Sequence, residues 1–178
     1  MNLEFHPVDQ ARWKDFEQLF ESKGGPHYCW CMVWRKSKKL ESISDKSSKK
    51  AAIKDFTDND IPIGILAYLD GEPIAWCSIA PRETHKKLSG DETKDGVWSL
   101  TCFFIKRAHR NQGLTYKLLQ EAIKFARMNG AKYVEAYPVA PDSPSYRFMG
   151  IKPTFEKAEF EFVKKVGSRR NVMILELI

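Results

Sequence analysis

The sequence predicts an α/β protein: a mixed sheet flanked by helices, with no internal repeat and no domain boundary within 1–178. Three observations carry this. The strand-like run "VWSLTCFFI", 97–105, passes through a corner at Arg110, Asn111, Gln112 and Gly113 into an amphipathic helix, and "KYVEAYPVA", 132–140, comes after it. Strand, helix and strand with short joins make a crossover unit with parallel strands. Upstream, "IGILAYLDGEPIAWCSI" sets two strand-like runs around Asp70-Gly71, a hairpin signal. Downstream, "FEFVKKVGSRRNVMILEL" turns back on itself at Gly167-Ser168.

The remaining elements come in chain order. "NLEFHPV" is a short first strand, and Asp9 suits the N-cap of a helix in which Trp13, Phe16, Leu19 and Phe20 recur at helical spacing. That helix should stop near "KGGP", 23–26, because glycine pairs and proline break helices. "HYCWCMVWR" is dense in aromatics and sulfur. The Lys/Ser-rich stretch "KSKKLESISDKSSKK" is a solvated segment leading into a helix around 47–56. "PRETHKKLSGDETKDG" is predicted as a long mobile connection. The 97–105 strand is apolar at nearly every position, which predicts a central strand covered on both faces. In the helix after the corner, Leu114, Leu118, Ala122, Phe125 and Ala126 share one face, and Gly130 closes it.

Composition narrows the partners. A chain of 178 residues that is 43% hydrophobic and 29% charged is globular, and its net charge of +6 calls for an anionic partner or simply for solubility. No apolar run approaches the roughly 20 residues of a membrane span, and the N-terminus lacks signal-peptide blocks. Cys29, Cys31, Cys77 and Cys102 are too few and too strand-bound for a disulfide framework, so the expected compartment is a reducing cytoplasm. Basic residues are scattered, with no aromatic–basic platform, so nucleic acid is the disfavoured partner.

The corner has physical content of its own. A turn opening a helix presents orphan N–H groups at the positive end of the helix dipole, and Lys106, Arg107 and Arg110 add full charges. No Lys-Ser/Thr comes after the glycine, so it is not a Walker loop, and one glycine does not make a dinucleotide fingerprint.

"HRNQGLTYKLL" resembles the acyl-CoA-binding motif of the GCN5-related N-acetyltransferases, Arg/Gln-x-x-Gly-x-Gly/Ala. Arg110 and Gly113 match its first and fourth positions, while Thr115 stands where Gly or Ala is usual. "FFI", 103–105, is similar to the end of that family's splayed fourth strand. "KPTFEKAEF", 152–160, sits where the family has a short helix ending in Gly-Phe, with Glu159 replacing the glycine. The segments "CWCMVWR", "WCSIAPR", "VWSLTCFFI" and "EAYPV" resemble a bacterial subgroup within it.

The resemblance implies a mostly antiparallel mixed sheet with a splayed fourth strand, acetyl-CoA as donor substrate and no metal. It implies that the N–H groups of Gln112, Gly113, Leu114 and Thr115, beside Arg110 and Asn111, hold the CoA pyrophosphate. Phe103 and Ile105 would pair through their backbone with the pantetheine arm, and an N–H near Phe103 or Phe104 would polarise the thioester carbonyl. Phe155 would stand on the donor side, where many relatives carry a tyrosine acid. The first-helix region, with Cys29, Trp30, Cys31, Met32, Trp34 and Arg35, would wall the acceptor, and Arg35 and Arg82 would recognise an acceptor carboxylate.

The chemistry asks for a neutral amine. An alkyl ammonium of pKa about 10.4 costs roughly 4–5 kcal/mol to deprotonate at neutral pH, whereas thiolate departure costs only roughly 2. A base therefore matters more than an acid. Glu135 is the first candidate base and Glu83 the second, with Tyr137 or Tyr146 as acid in place of Phe155. Zinc at His27, Cys29 and Cys31 lacks a second ligand pair, and an acyl-cysteine at Cys102 or Cys31 lacks an adjacent histidine. The expectation is a single N-acetyltransferase domain over 1–178, passing an acetyl group directly to a primary amine of a small molecule or peptide. It needs no membrane and allows a homodimer. The rivals are a catalytically silent acyl-CoA-binding module and a nucleic-acid-binding protein.

Overall fold

The computed structural model describes residues 1–38 and 45–178, so residues 39–44 of the Lys/Ser-rich stretch lie outside the described residues. Among the described residues seven strands form one sheet in the order β1-β2-β3-β4-β5-β7-β6. β1 is Leu3–Pro7, β2 Gly64–Leu69, β3 Glu72–Pro81, β4 Val97–Ile105, β5 Tyr133–Ala136, β6 Glu161–Val166 and β7 Arg170–Glu176. Every neighbouring pair is antiparallel except β4 and β5. That parallel pair is joined by the crossover helix α3, as the strand–helix–strand pattern predicts.

Among the described residues four helices cover the sheet: α1 (Trp13–Glu21), α2 (Lys46–Asp58), α3 (Leu114–Met128) and α4 (Lys152–Lys157). Asp9 does cap, but through a 3-10 turn: its side chain accepts from Arg12 N–H at 2.9 Å, and α1 begins directly after it. The β2–β3 hairpin turns with both Asp70 (φ 50°) and Gly71 (φ 84°) in the left-handed region, the type I′ geometry that Asp-Gly favours. At the end of α3, Gly130 adopts φ 81° just past Asn129.

Two cores lie on the two faces of the sheet. Leu114, Leu118, Leu119, Ala122 and Ala126 of α3, with Phe155 of α4, pack on Ile65, Ala67, Cys77 and Leu100. On the other face, Phe16 and Phe20 of α1 and Trp30 pack on Leu66, Tyr68 and Trp76. The Phe16–Trp76 rings meet edge-on at 4.8 Å and Phe20 stacks on Trp30 at 5.3 Å. Removing one such buried ring costs about 3–5 kcal/mol. Among the described residues no helix is long and apolar enough to cross a membrane.

Two expectations need correction. β4 is central, but only its first half is covered: Val97–Thr101 are buried, whereas Cys102–Ile105 are half-exposed. The strand is apolar beyond its covered half because its later side chains still pack on one core or the other, Phe103 and Ile105 on one face and Cys102 and Phe104 on the opposite one. The connection 82–96 is an anchored structure instead of a loose loop. His85 bridges to Arg35, Leu88 is buried, and Glu135 accepts from Asp91 N–H at 2.8 Å.

Candidate active site

The site begins where two strands part. β4 and β5 pair only over Val97–Leu100 and Tyr133–Ala136. Beyond Ala136 the chain leaves β4 and ties instead to the segment before α4, through Val139 N–H to Gly150 carbonyl at 3.0 Å and Lys152 N–H to Val139 carbonyl at 2.8 Å. The register of β3 against β4 also shifts, with Ser78 opposite Cys102 but Ile79 opposite Leu100, so Thr101 is a bulged residue. A bulge bends its strand and re-aims the residues beyond it. The second half of β4 thus presents an unpaired backbone edge to a wedge-shaped opening.

A cavity of about 510 Å³ fills one side of that opening. Its walls are Phe103, Phe104 and Ile105 of β4, Arg110, Asn111 and Thr115 at the corner, and Arg147, Phe148, Gly150, Ile151 and Thr154 opposite. Two arginines and no carboxylate line it. At the corner Asn111 (φ 60°) and Gly113 (φ 74°) are both left-handed ahead of the first turn of α3, the kind of backbone that makes a nest of N–H groups suited to an anion. Arg110 Nε donates to the Ile105 carbonyl at 2.9 Å, fixing the corner to the end of β4. A Cβ added at Gly113 would meet no atom within 4 Å, so the space over the nest is open.

On the other side of the same strand lies a smaller chamber of about 140 Å³. Phe103, Phe104 and Phe148 border both spaces. The chamber is otherwise walled by Pro26, Tyr28, Cys29, Cys31, Val33, Trp34, Thr101 and Cys102, so it is apolar and sulfur-rich and has no charged lining residue. The Cys31 thiol donates to Cys102 Sγ at 3.4 Å and accepts from Trp76 Nε1 at 3.1 Å. That bond to Cys102 is the main reason its pKa stands well above the usual thiol range; for Cys29 the hydrogen bond with Cys31 and then burial do the same. Both thiols therefore stay protonated, which disfavours them as nucleophiles. Among the described residues no group of three or more His, Cys, Asp or Glu side chains is arranged to hold a metal ion.

Behind the opening sit two buried polar networks. In the first, Glu135 is fully buried, accepts from Asp91 N–H and from Tyr137 OH at 2.8 Å each, and lies 3.6 Å from Arg82. The Tyr137 hydroxyl also meets Ser99 Oγ at 2.8 Å, and burial, with the Glu135 charge second, pushes its pKa well up, so it keeps its proton and donates to Glu135. A Cβ on Gly90 would stand 1.8 Å from Glu135 Oε1, so the loop presses on the carboxylate as closely as glycine permits. In the second network Arg35, 1% exposed, donates through Nη2 to the Ile63 carbonyl at 2.5 Å and to Ser78 Oγ at 2.9 Å, and Thr101 Oγ1 donates to Ser78 Oγ at 3.2 Å. Burial lowers the Arg35 pKa to about 10. His85 beside it is held neutral, its pKa pushed well down first by burial and then by the Arg35 charge.

The acetyltransferase (GNAT) family model matches residues 7–150. The chain belongs to that family. Its fold is also that of solved acetyltransferases at low identity. The PaiA N-acetyltransferase of Thermoplasma acidophilum, solved in complex with coenzyme A, superposes with a TM-score of 0.59 at 15% identity over 99% of both chains. The Salmonella typhimurium protein YncA, solved with its cofactor acetyl-CoA, gives 0.57 at 15% identity over 100% of this chain and 95% of its own. An N-acetyltransferase of Staphylococcus aureus gives 0.59 at 12% over the whole of both. No curated protein matches the chain.

Within this acetyltransferase, Phe103, Phe104, Ile105, Arg110, Asn111 and Thr115 come together around the larger cavity, and Gln112, Gly113 and the buried Leu114 form the corner beneath it. Phe155 does not reach that cavity; it is fully buried between Phe103 (6.2 Å) and Phe160 (5.2 Å), and Thr154 faces the cleft instead. Cys29, Cys31 and Trp34 line the chamber, whereas Trp30 and Met32 belong to the core behind it. Arg35 is sealed in, and Arg82 is occupied by the Asp91 and Lys94 carbonyls at 2.8 and 2.7 Å and by Glu135, so neither side chain reaches the chamber. Tyr146 lines neither space; it is 39% exposed, with its ring 6.3 Å from both Trp34 and Phe148, in the wall of a separate cavity at the β6–β7 turn. Sequence reasoning misses Arg147, Phe148 and Thr154 in the cleft. The only signal for the first two is "SPSYRFMG", which points to Tyr146 alone.

Proposed function

We propose that the chain, as one domain over 1–178, transfers an acetyl group from acetyl-CoA to a primary amine by direct attack in a ternary complex. The observation that carries this is the parting of β4 from β5 directly above the Gly113 nest. It offers one bare strand edge and one anion nest to the same cavity. Acetyl-CoA supplies the acetyl group and a thiol leaving group. The N–H groups of Gln112, Gly113, Leu114 and Thr115 hold its pyrophosphate, with the charges of Arg110 beside them and Arg147 across the same cavity. The backbone of Phe103 and Ile105 pairs with the pantetheine arm, and an N–H at Phe103 or Phe104 polarises the thioester carbonyl.

The amine enters from the chamber side. With no carboxylate to hold an ammonium, the apolar walls favour the neutral amine, lowering its pKa by desolvation. Tyr146, partly exposed beside Trp34 and Phe148, protonates the departing thiolate, and the proton the amine sheds as it becomes an amide restores the tyrosine hydroxyl. Glu135 and Tyr137 act as positioning residues, holding the 82–96 segment against the paired end of β4 and β5.

The test is a thiol-release screen over primary amines with acetyl-CoA, alongside calorimetric titration of CoA. Loss of CoA binding in Arg110→Glu/Gly113→Trp, with turnover of at least one amine by the natural chain, is the expected result. Unchanged CoA affinity in that variant would remove the corner from the site. One observation favours a second reading: no carboxylate lines either space, which suits a module that binds acyl-CoA without catalysis. CoA binding with no thiol release from any amine would select it.

A further inference from the structure

Resting on the acetyltransferase reading of the chamber, we propose that the acceptor carries a carboxylate as well as its amine, and that Arg170 and the Trp34 indole N–H bind that carboxylate. Among the described residues four buried side-chain nitrogens have no hydrogen-bond partner, and two of them, Trp34 Nε1 and Arg170 Nη1, belong to side chains in contact. The Arg170 Cζ lies 4.8 Å over the Trp34 ring and 5.9 Å from the Tyr146 ring. A buried donor left unmade costs as much as a lost hydrogen bond, so two adjacent ones mark a place where an acceptor atom belongs.

The neighbours fix the chemistry. Arg170 stands in the wall of a cavity of about 430 Å³ at the β6–β7 turn, lined also by Ser145, Tyr146, Ser168 and Arg169 and by no carboxylate. No carboxylate pairs with Arg170 among the described residues. Arg169 is already committed to Ser145 Oγ at 2.5 Å, and Arg147 donates to the Pro141 carbonyl. One uncommitted guanidinium with one indole N–H beside it matches a single negative charge spread over two oxygens, which is a carboxylate. Aromatic stacking holds the guanidinium plane in place before the ligand arrives.

The distance to the chemistry is short. Trp34 forms a wall of the apolar chamber and at the same time carries Arg170 on its ring, so amine and carboxylate are separated by about the breadth of an indole. An acceptor whose amine and carboxylate stand at the two ends of a chain of several carbons, with that apolar chain in the chamber and its carboxylate on Arg170, spans that gap. The arginines that the sequence nominated for this task are used elsewhere, Arg35 inside the core and Arg82 on the Glu135 loop.

The experiment compares matched acceptors: 6-aminohexanoate with pentylamine, and 5-aminopentanoate with butylamine, each also as the amino-acid methyl ester. The carboxylated member should show kcat/KM about tenfold or more above its decarboxylated and esterified partners. Arg170→Gln should shrink that ratio about tenfold, Arg170→Lys should restore part of it, and Trp34→Phe, which keeps the ring and deletes the N–H, should reduce it by a few-fold. Equal kcat/KM across each matched set, or a ratio unmoved by Arg170→Gln, overturns the proposal while leaving the acetyltransferase reading intact. If no amine releases thiol, that reading fails instead, and calorimetric titration of the CoA-loaded protein with the same compounds decides the carboxylate site. Binding of the amino acids that Arg170→Gln abolishes upholds it, and no difference between acid and ester overturns it.

Discussion

The two sides of the opening in the sheet are made of different material. On the cleft side the groups proposed to bind are backbone: the bare edge of β4 and the N–H groups around Asn111 and Gly113, with side chains such as Phe103 and Thr115 lining the walls. On the chamber side the working groups are side chains, and they rest on polar residues sealed beneath the surface, Arg35, His85 and Glu135. A backbone site tolerates substitution wherever the chain's path survives. A side-chain site resting on buried charge transmits a change at one residue to its whole wall.

The largest test of that contrast pairs two arginines. Arg35→Ala strips the Ile63 carbonyl and Ser78 of a donor and leaves a cavity in the core, which should cost about 3–5 kcal/mol. For a chain of this size that lowers Tm by roughly 6–20 °C. Arg110→Ala removes a side chain at the rim of the open cleft that bonds only to a local carbonyl, and should stay within about 0.5 kcal/mol. Thermal melts of the two variants would break the comparison if they shifted equally.

The second test presses on the Glu135 network. Gly90→Ala sets a methyl against Glu135 Oε1 and must push the carboxylate off Asp91 N–H and Tyr137 OH, for about 2–3 kcal/mol. Glu135→Gln sharpens it further. If Glu135 is a positioning residue, the variant loses stability in urea melts while its pH–rate profile keeps its shape. Loss of the rising limb of that profile would make Glu135 the base.

The same contrast explains what can be seen in the sequence. The corner is legible because its backbone takes a particular path, and Gly113, an apolar strand before it and an amphipathic helix after it are the marks of that path. The hairpins are legible from Asp70-Gly71 and Gly167-Ser168 for the same local reason. What the sequence hides depends on contacts between distant residues. Arg35 looks like a surface cation in "CMVWRK", and only its enclosure by Ile63, Ser78 and Thr84 makes it a core residue. The 82–96 segment is polar enough to pass for a mobile loop, yet one carboxylate on β5 and one bridge to Arg35 anchor it. Arg170 sits at the start of an ordinary strand, and nothing local signals that Trp34 would lie beneath it.

The third test uses pH on the buried side. His85 is neutral in the fold because burial and Arg35 disfavour its charge, while Nδ1 donates to the Pro81 carbonyl at 3.3 Å. Its folded pKa lies below the unfolded value of about 6.5, so the unfolded chain binds the extra proton first. Stability is therefore whole above that pH and falls below it, by about 1.4 kcal/mol per pH unit until the folded group titrates. Urea melts at about pH 7 and about pH 5.5 should show that slope in the natural chain and a shallower one in His85→Gln. An unchanged slope would detach His85 from the acid sensitivity of this side.

A small effect on stability also belongs to the nest, and it is the most discriminating. An alanine at Gly113 would touch nothing within 4 Å, so the only intrinsic cost is holding an L side chain at φ 74°, about 1 kcal/mol. The same methyl would stand in the open space over the nest, where a pyrophosphate must come against the N–H groups. Gly113→Ala should therefore lower Tm by only about 2–4 °C while weakening CoA about tenfold in a calorimetric titration. A cavity that merely resembled a cleft would show the first change without the second, because strain acts on the fold whether or not a ligand is present. Both losses together would mean that the corner is shaped for an anion, and that its glycine serves the ligand more than the chain.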